Sequence, residues 1–214
     1  MSGWAKGAPG TVDAGHGNRD VSTKAFQRLS VAASALVDPL TGISNRLAFE
    51  QRLAHEWRRA RRYGRMLGLL LLDLDELKQI NDEEGHAGGD TVLREVADCI
   101  SANIRSSDMA ARLAGDEFIV LCPETGADGL RQTAVKLWET LESRGISVSI
   151  GRAELEADDE SAEDLVARAD VAMYRHKQRR RAVREGMRRR QAAGKRPTAR
   201  PDLSIPKLSA PHAS

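Results

Sequence analysis

Two cysteines in 214 residues, Cys99 and Cys122, stand 23 positions apart with no C-x-x-C pair. That excludes a disulfide-stapled scaffold and predicts reduced thiols in a cytoplasmic protein. The longest apolar run, Leu67 to Leu72, falls far short of the roughly 20 residues a membrane helix needs. The Gly-rich, polar N-terminus has no apolar stretch of the signal-peptide kind. No internal repeat occurs. Aromatic residues are 4% of the chain. None falls in its basic stretch, so a platform for stacking nucleic-acid bases is missing. Charge of one sign is missing as a whole but strongly segregated. Residues 177 to 200 hold eleven Lys or Arg against Glu185, a net of +10; residues 201 to 214 cancel, which leaves −8 for residues 1 to 176 out of the total of +2. An acidic domain therefore carries a basic tail. That tail would attract any polyanion, and charge is the only support for a nucleic-acid partner.

What is present is a run of leucines ending in acids, Leu69-Leu70-Leu71-Leu72-Asp73-Leu74-Asp75, and later a second acidic segment, Arg112-Leu113-Ala114-Gly115-Asp116-Glu117-Phe118-Ile119-Val120-Leu121. The first reads as a buried strand delivering carboxylates to a sheet edge, the second as a hairpin with carboxylates at its turn. Taken alone, either is an ordinary set of strand-end or turn acids. Together, Asp73 with Asp116 or Glu117 forms a hard oxygen site suited to Mg²⁺ and a nucleoside triphosphate.

Residues 1–20 read as disordered, and residues 21–37 as a short helix capped by Ser22 with Phe26, Leu29, Ala33 and Leu36 on one stripe. Asp38-Pro39 ends it. A second helix starts at Ser44 or Asn45 and reaches about Tyr63, with Leu47, Leu53 and Trp57 inward, and Gly64 stops it. A strand over Met66–Asp73 follows, then a short helix over Glu76–Asn81, a loop over Gly85–Gly89 and a helix over Thr91–Ile104. The hairpin pairs Met109–Leu113 with Asp116–Leu121. A helix over Gly126–Ser143, a half-buried alternating strand over Ile146–Ile150 and a helix capped by Ser161 complete the pattern, the last reaching toward Arg190. The fold class is α/β (α+β), with helices flanking one sheet.

The order of motifs resembles the GGDEF-domain diguanylate cyclases. Asp38-Pro39-Leu40-Thr41-Gly42-Ile43-Ser44-Asn45-Arg46 is similar to their D-x-L-T-G-L-x-N-R. Asp73 through Asp82 resembles D-I-D-H-F-K-x-I-N-D, and Gly85-His86-Ala87-Gly88-Gly89-Asp90 resembles G-H-x-x-G-D. Ala114-Gly115-Asp116-Glu117-Phe118 is the signature with one change. Ser147–Gly151 and Ala169–Lys177 resemble the closing T-V-S-I-G and A-D-x-A-L-Y-x-A-K. The resemblance covers residues 38–182 as the catalytic domain, with 183–214 as a basic, Pro-containing disordered tail. It implies a palm-like fold related to nucleotidyl cyclases, with a central, mostly antiparallel sheet. The reaction it implies is condensation of two GTP into cyclic di-GMP and two pyrophosphates.

Carried over residue by residue, it implies two Mg²⁺ (or Mn²⁺) per active site held by Asp73, the carbonyl of Leu74, Asp116 and Glu117, with Asp116 and Glu117 catalytic. Asn81 and Asp90 would read guanine, whose donor edge an aspartate accepts and whose O6 an amide can meet. Lys78, Lys177 and Arg181 would clamp phosphates, with Gly115 and the backbone of Glu76 and Leu77 lining the substrate. Arg105 and Asp108 match the R-x-x-D inhibitory site, which implies that cyclic di-GMP is also an inhibitor. Because the product needs two opposed phosphodiester bonds, the resemblance implies a transient antiparallel homodimer. No Glu-Ala-Leu hydrolase motif occurs. The departures are Ala114 for the first signature Gly, Glu76-Leu77 for His-Phe, and Arg180-Arg181-Ala182 for G-R-N. They leave an alternative from another class, a catalytically weak or inactive module that binds GTP or cyclic di-GMP as a receptor.

Overall fold

Leu67–Leu74 (β2) is buried along its whole length because both faces of the sheet are covered. Its even-numbered side chains, Leu70, Leu72 and Leu74, enter one core with Phe118, Val120, Leu137 and Ile150. Its odd-numbered ones, Leu67, Leu69 and Leu71, enter the other with Phe49, Leu53, Leu165 and Met173. Period-2 alternation between two apolar layers explains why the strand reads as unbroken leucine. The structure, a computed structural model, describes residues 35–192. The expected N-terminal helix through Phe26, Leu29 and Ala33 lies outside the described residues.

Among the described residues five strands form one sheet in the order β1-β3-β4-β2-β5, comprising Ser44–Asn45 (β1), β2, Met109–Ala114 (β3), Glu117–Pro123 (β4) and Val148–Glu154 (β5). Only the β1–β3 pair is parallel, so the mostly antiparallel expectation holds. Helices Arg46–Tyr63 (α1) and Ala162–Ala192 (α4) cover one face, and Leu77–Asn103 (α2) and Ala127–Ser143 (α3) cover the other.

Helix α1 follows its punctuation. The Asn45 side chain accepts from the Ala48 N–H at 3.1 Å, and Gly64 closes the end at φ +61°, where its N–H reaches the Ala60 carbonyl. Leu47 is an exception to the expected inward face. It is 48% exposed, and Ala48, Phe49, Leu53, Glu56 and Ala60 are the buried positions. The segment Gly85–Gly89 is also not a loop. Helix continues through it with one break, at Gly85 (φ 75°, ψ 174°). Strand β5 is buried on both faces rather than half-buried, with Ser149 fully enclosed. Where Gly151 faces α4, a Cβ would lie 2.1 Å from the Ala169 carbonyl oxygen and 2.3 Å from the Met173 nitrogen; only glycine admits the helix this close. Helix α4 runs through Ala192, past residue 182 and into the basic stretch. Cys99 and Cys122 are free and buried, and burial pushes the Cys122 thiol up to about 12.

Candidate active site

Two apolar series converge on one charged pair. Along β2 the odd-numbered positions run Leu67, Leu69, Leu71 and then Asp73; along α4 the buried stripe runs Leu165, Ala169, Met173 and then Lys177. Each series ends at the sheet edge, and there Lys177 Nζ donates to Asp73 Oδ1 at 2.6 Å. Burial pushes the Asp73 carboxyl above its ordinary value. Lys177 opposes that shift, while Asp116 and Asp75 reinforce it. Asp116 stands in the β3–β4 turn, whose carbonyl accepts from the Leu74 N–H at 3.0 Å.

The turn itself is braced. Gly115 adopts φ +42°, and among the described residues the only non-glycine positive-φ positions are Glu76 and Glu124. Ala114 therefore escapes the left-handed region: it sits in β3 opposite Glu117, just after a register shift. The Gly115 carbonyl accepts from Arg112 Nε at 2.9 Å and Nη2 at 2.7 Å, and Arg112 Nη1 donates to Asp38 Oδ1 at 3.3 Å. Asp38 is fixed in turn by the Thr41 N–H at 2.9 Å and hydroxyl at 2.6 Å. Burial pushes the Asp38 carboxyl up, but the hydrogen bonds from Thr41 and Arg112 outweigh it and hold the carboxyl below its ordinary value. Arg46 Nε donates to the Leu113 carbonyl at 3.2 Å. Asp38, Thr41, Arg46 and Arg112 thus build the hairpin that carries Asp116, a role the sequence reading did not assign. The Asp38–Arg46 motif was the available signal.

A cavity of about 530 Å³ opens beside Asp116. It is lined by Leu74, Leu77 and six cations: Lys78, Lys177, Arg180, Arg181, Arg184 and Arg188. Asp75, Glu76 and Glu185 also face it, the first two paired with arginines. The carboxylate of Asp75 accepts from the hydroxyls of Ser147 and Ser149, both at 3.0 Å, and lies 3.1 Å from Arg180 Nε. Arg180 also reaches Glu142 and Ser147. Asp75, Ser147 and Arg180 were not singled out from sequence, since the partners of Asp75 lie more than seventy positions away in the chain and Arg180 itself sits in a featureless basic run.

The remaining expected residues lie outside this lining. Asn81 packs on Gly89, where a Cβ would be 2.0 Å from Asn81 Oδ1 and 3.2 Å from Leu77 Cδ1. In a straight helix eight residues span about 12 Å, so this contact exists because the chain turns at Gly85. The turn brings Asn81 beside the residue that precedes Asp90. Glu117 pairs across the sheet with Asp73 in register. Arg105 and Asp108 close a tight turn before β3: Asp108 Oδ2 accepts from the Arg105 N–H at 2.9 Å, while the Arg105 side chain is exposed.

The donors at the sheet edge fit a hard divalent cation. Asp73 and Asp116 repel one another there, and the backbones of Leu74 and Asp116 are hydrogen-bonded neighbours. Among the described residues no cluster of three His, Cys, Asp or Glu side chains forms an all-protein cage.

The family model for "Diguanylate cyclase, GGDEF domain" matches residues 35–182. The diguanylate cyclase DgcP of Pseudomonas aeruginosa is 40% identical over 152 residues, covering 67% of this chain and 22% of that protein. The diguanylate cyclase DgcS of Shewanella oneidensis is 37% identical over 158 residues, covering 72% of this chain and 53% of that one. This chain therefore spans about half the length of one such relative and about a fifth of the other. Among solved structures, the coiled coil and GGDEF domain of DgcB from Caulobacter crescentus, in complex with c-di-GMP, matches with a TM-score of 0.72 at 30% identity. The match covers 75% of this chain and 90% of that one.

Proposed function

The chain belongs to the GGDEF-domain family of diguanylate cyclases, and from that membership we propose that it condenses two GTP into cyclic di-GMP with release of two pyrophosphates. The observation that carries the proposal is the charge layout: a buried carboxylate, Asp73, raised chiefly by burial and further by Asp116, is bonded to Lys177, one of six cations that line the cavity beside Asp116. A cation-lined cavity suits a polyphosphate; excess negative charge at its rim suits divalent metal.

Asp73, the Leu74 carbonyl and Asp116, with Glu117 nearby, would hold two Mg²⁺ or Mn²⁺. When bound, such ions lower the pKa of the ribose 3′-hydroxyl and neutralise charge at the α-phosphate and leaving pyrophosphate. The chain's own residues do the rest. Lys78, Lys177 and Arg181 hold the triphosphate, Lys177 exchanging its bond to Asp73 for a phosphate oxygen. The backbone at Gly115, Glu76 and Leu77 shapes the floor. Asn81 and Asp90 select guanine, since adenine leaves both side chains unpaired. The unstrained backbone at Ala114 supports an active site over a receptor-only module. Exposed Arg105 and the carboxylate of Asp108 offer a guanidinium fork and a guanine acceptor for product inhibition.

One domain presents one such cavity, so two must face each other, and the active unit is a transient antiparallel homodimer. Purified protein incubated with GTP and Mg²⁺ should yield a product with the mass of cyclic di-GMP, with specific activity rising with protein concentration. Bound but unconverted GTP would move the assignment to the receptor class.

A further inference from the structure

Helix α4 continues past the residues assigned above as phosphate clamps. It carries Arg184 and Arg188 along the same cavity, about 10 Å and about 16 Å along the axis from Lys177. Helical side chains lean toward the N-terminus, so both guanidinium groups reach back over the opening. Arg184 Nη2 donates to Ser147 Oγ at 3.1 Å, the same hydroxyl that Arg180 Nη2 meets at 2.6 Å. A carboxylate completes the arrangement. Glu76 Oε1 pairs with Arg184 Nη1 and lies 4.0 Å from Arg188 Nη2. Glu76 does so from φ 65°, a conformation an L-residue adopts at a cost and one that aims its side chain from the end of β2 toward α4.

We infer that Arg184 and Arg188 form a subsite for the terminal phosphate of a triphosphate, occupied by Glu76 until the nucleotide arrives. The inference rests on the reading of this cavity as the GTP site. Glu76 offers a single negative charge and two oxygens and is 39% exposed. A terminal phosphate offers more charge and three acceptor oxygens to the same planar forks, and displaces it. Position along the cavity fixes which phosphate is involved. Lys177 touches Asp73 at the reacting edge, so the distal pair of arginines faces the phosphate farthest from the bond being made. A nucleoside diphosphate has no group to place there.

The test is calorimetric binding of GTP and of GDP to the full chain with Ca²⁺ replacing Mg²⁺ to suppress turnover. Arg184→Gln should weaken GTP about tenfold, about 1.4 kcal/mol, with GDP changed less than about twofold. Arg184→Lys should restore part of the loss, and Glu76→Gln should tighten GTP several-fold without a matching effect on GDP. Equal weakening of both nucleotides by Arg184→Gln, or weaker GTP binding by Glu76→Gln, overturns the subsite while leaving the cavity assignment standing. A wild-type protein that binds neither nucleotide overturns both.

Discussion

Alanine at Gly89 should separate base recognition from folding. The new Cβ would meet Asn81 Oδ1 at 2.0 Å, the far end of a short flexible side chain, so the amide swings aside and the backbone stays. Alanine also recovers up to about 1 kcal/mol of helix propensity over glycine. The melting temperature should therefore stay within about 4 °C of wild type. The displaced amide no longer meets the guanine, leaving a polar group unpaired at about 1–3 kcal/mol. Selectivity for GTP over ATP should fall about tenfold, read as the ratio of kcat/KM in competition. Gly151→Ala is the control, because its Cβ strikes backbone, 2.1 Å from the Ala169 oxygen and 2.3 Å from the Met173 nitrogen. Helix α4 must then lift off the sheet, at about 3 kcal/mol and about 6–12 °C of melting temperature, while the surviving folded enzyme keeps its base selectivity. Full GTP selectivity in Gly89→Ala would refute the placement of Asn81 against the base. Melting of Gly89→Ala as early as Gly151→Ala would refute the claim that only a side chain yields.

Asp73→Asn should abolish turnover yet unfold at higher denaturant than wild type at pH 7. The folded-state pKa of Asp73 is raised, so ionisation costs stability as pH climbs through it. The gap between variant and wild type should shrink as pH falls through the raised folded-state pKa and close only below the unfolded value of 3.8, where the carboxyl is protonated in both states, and a gap independent of pH refutes the assignment. Asp75→Ala should cost about 3 kcal/mol by chemical denaturation, because Arg180, itself 5% exposed, loses its ion pair; a cost under about 1 kcal/mol would show that Glu142 and Ser147 suffice. Arg105→Ala should raise the cyclic di-GMP concentration needed for half-inhibition at least about tenfold, and equal sensitivity would remove the R-x-x-D turn from regulation.

Local grammar carried most of the fold. Asn45 and Gly64 mark the ends of α1 because a cap and a left-handed glycine act within a few residues, and the leucines of β2 report two buried faces wherever they lie in the sheet. Long-range effects escaped. Gly85 to Gly89 read as a loop because glycine weakens helices, yet only Gly85 leaves the helical conformation, and Gly89 packs closely against Asn81 and Leu77. Ser147 and Ser149 read as the wet side of a strand, whereas their hydroxyls serve a buried carboxylate. Leu47 looked apolar and inward, but Ala48 and Phe49 take the inward positions at the start of α1, while Leu53 is buried as expected. At the site, Asp73, Asp116 and Lys177 were legible as strand end, turn and basic run. The partners of Asp75 and Arg180 were not, because no short-range pattern encodes them.

The guanidinium of Arg112 has a mechanical side. It clasps Asp38, ahead of β1 and α1, with one arm and the Gly115 carbonyl with the others, so these points are joined by one rigid, planar strut. A torque arriving along the backbone at residue 38 reaches the residue before Asp116 without crossing the core. Cores resist deformation, but a strut transmits it. A small twist applied at residue 38 should therefore re-aim Asp116, while the sheet behind it stays still.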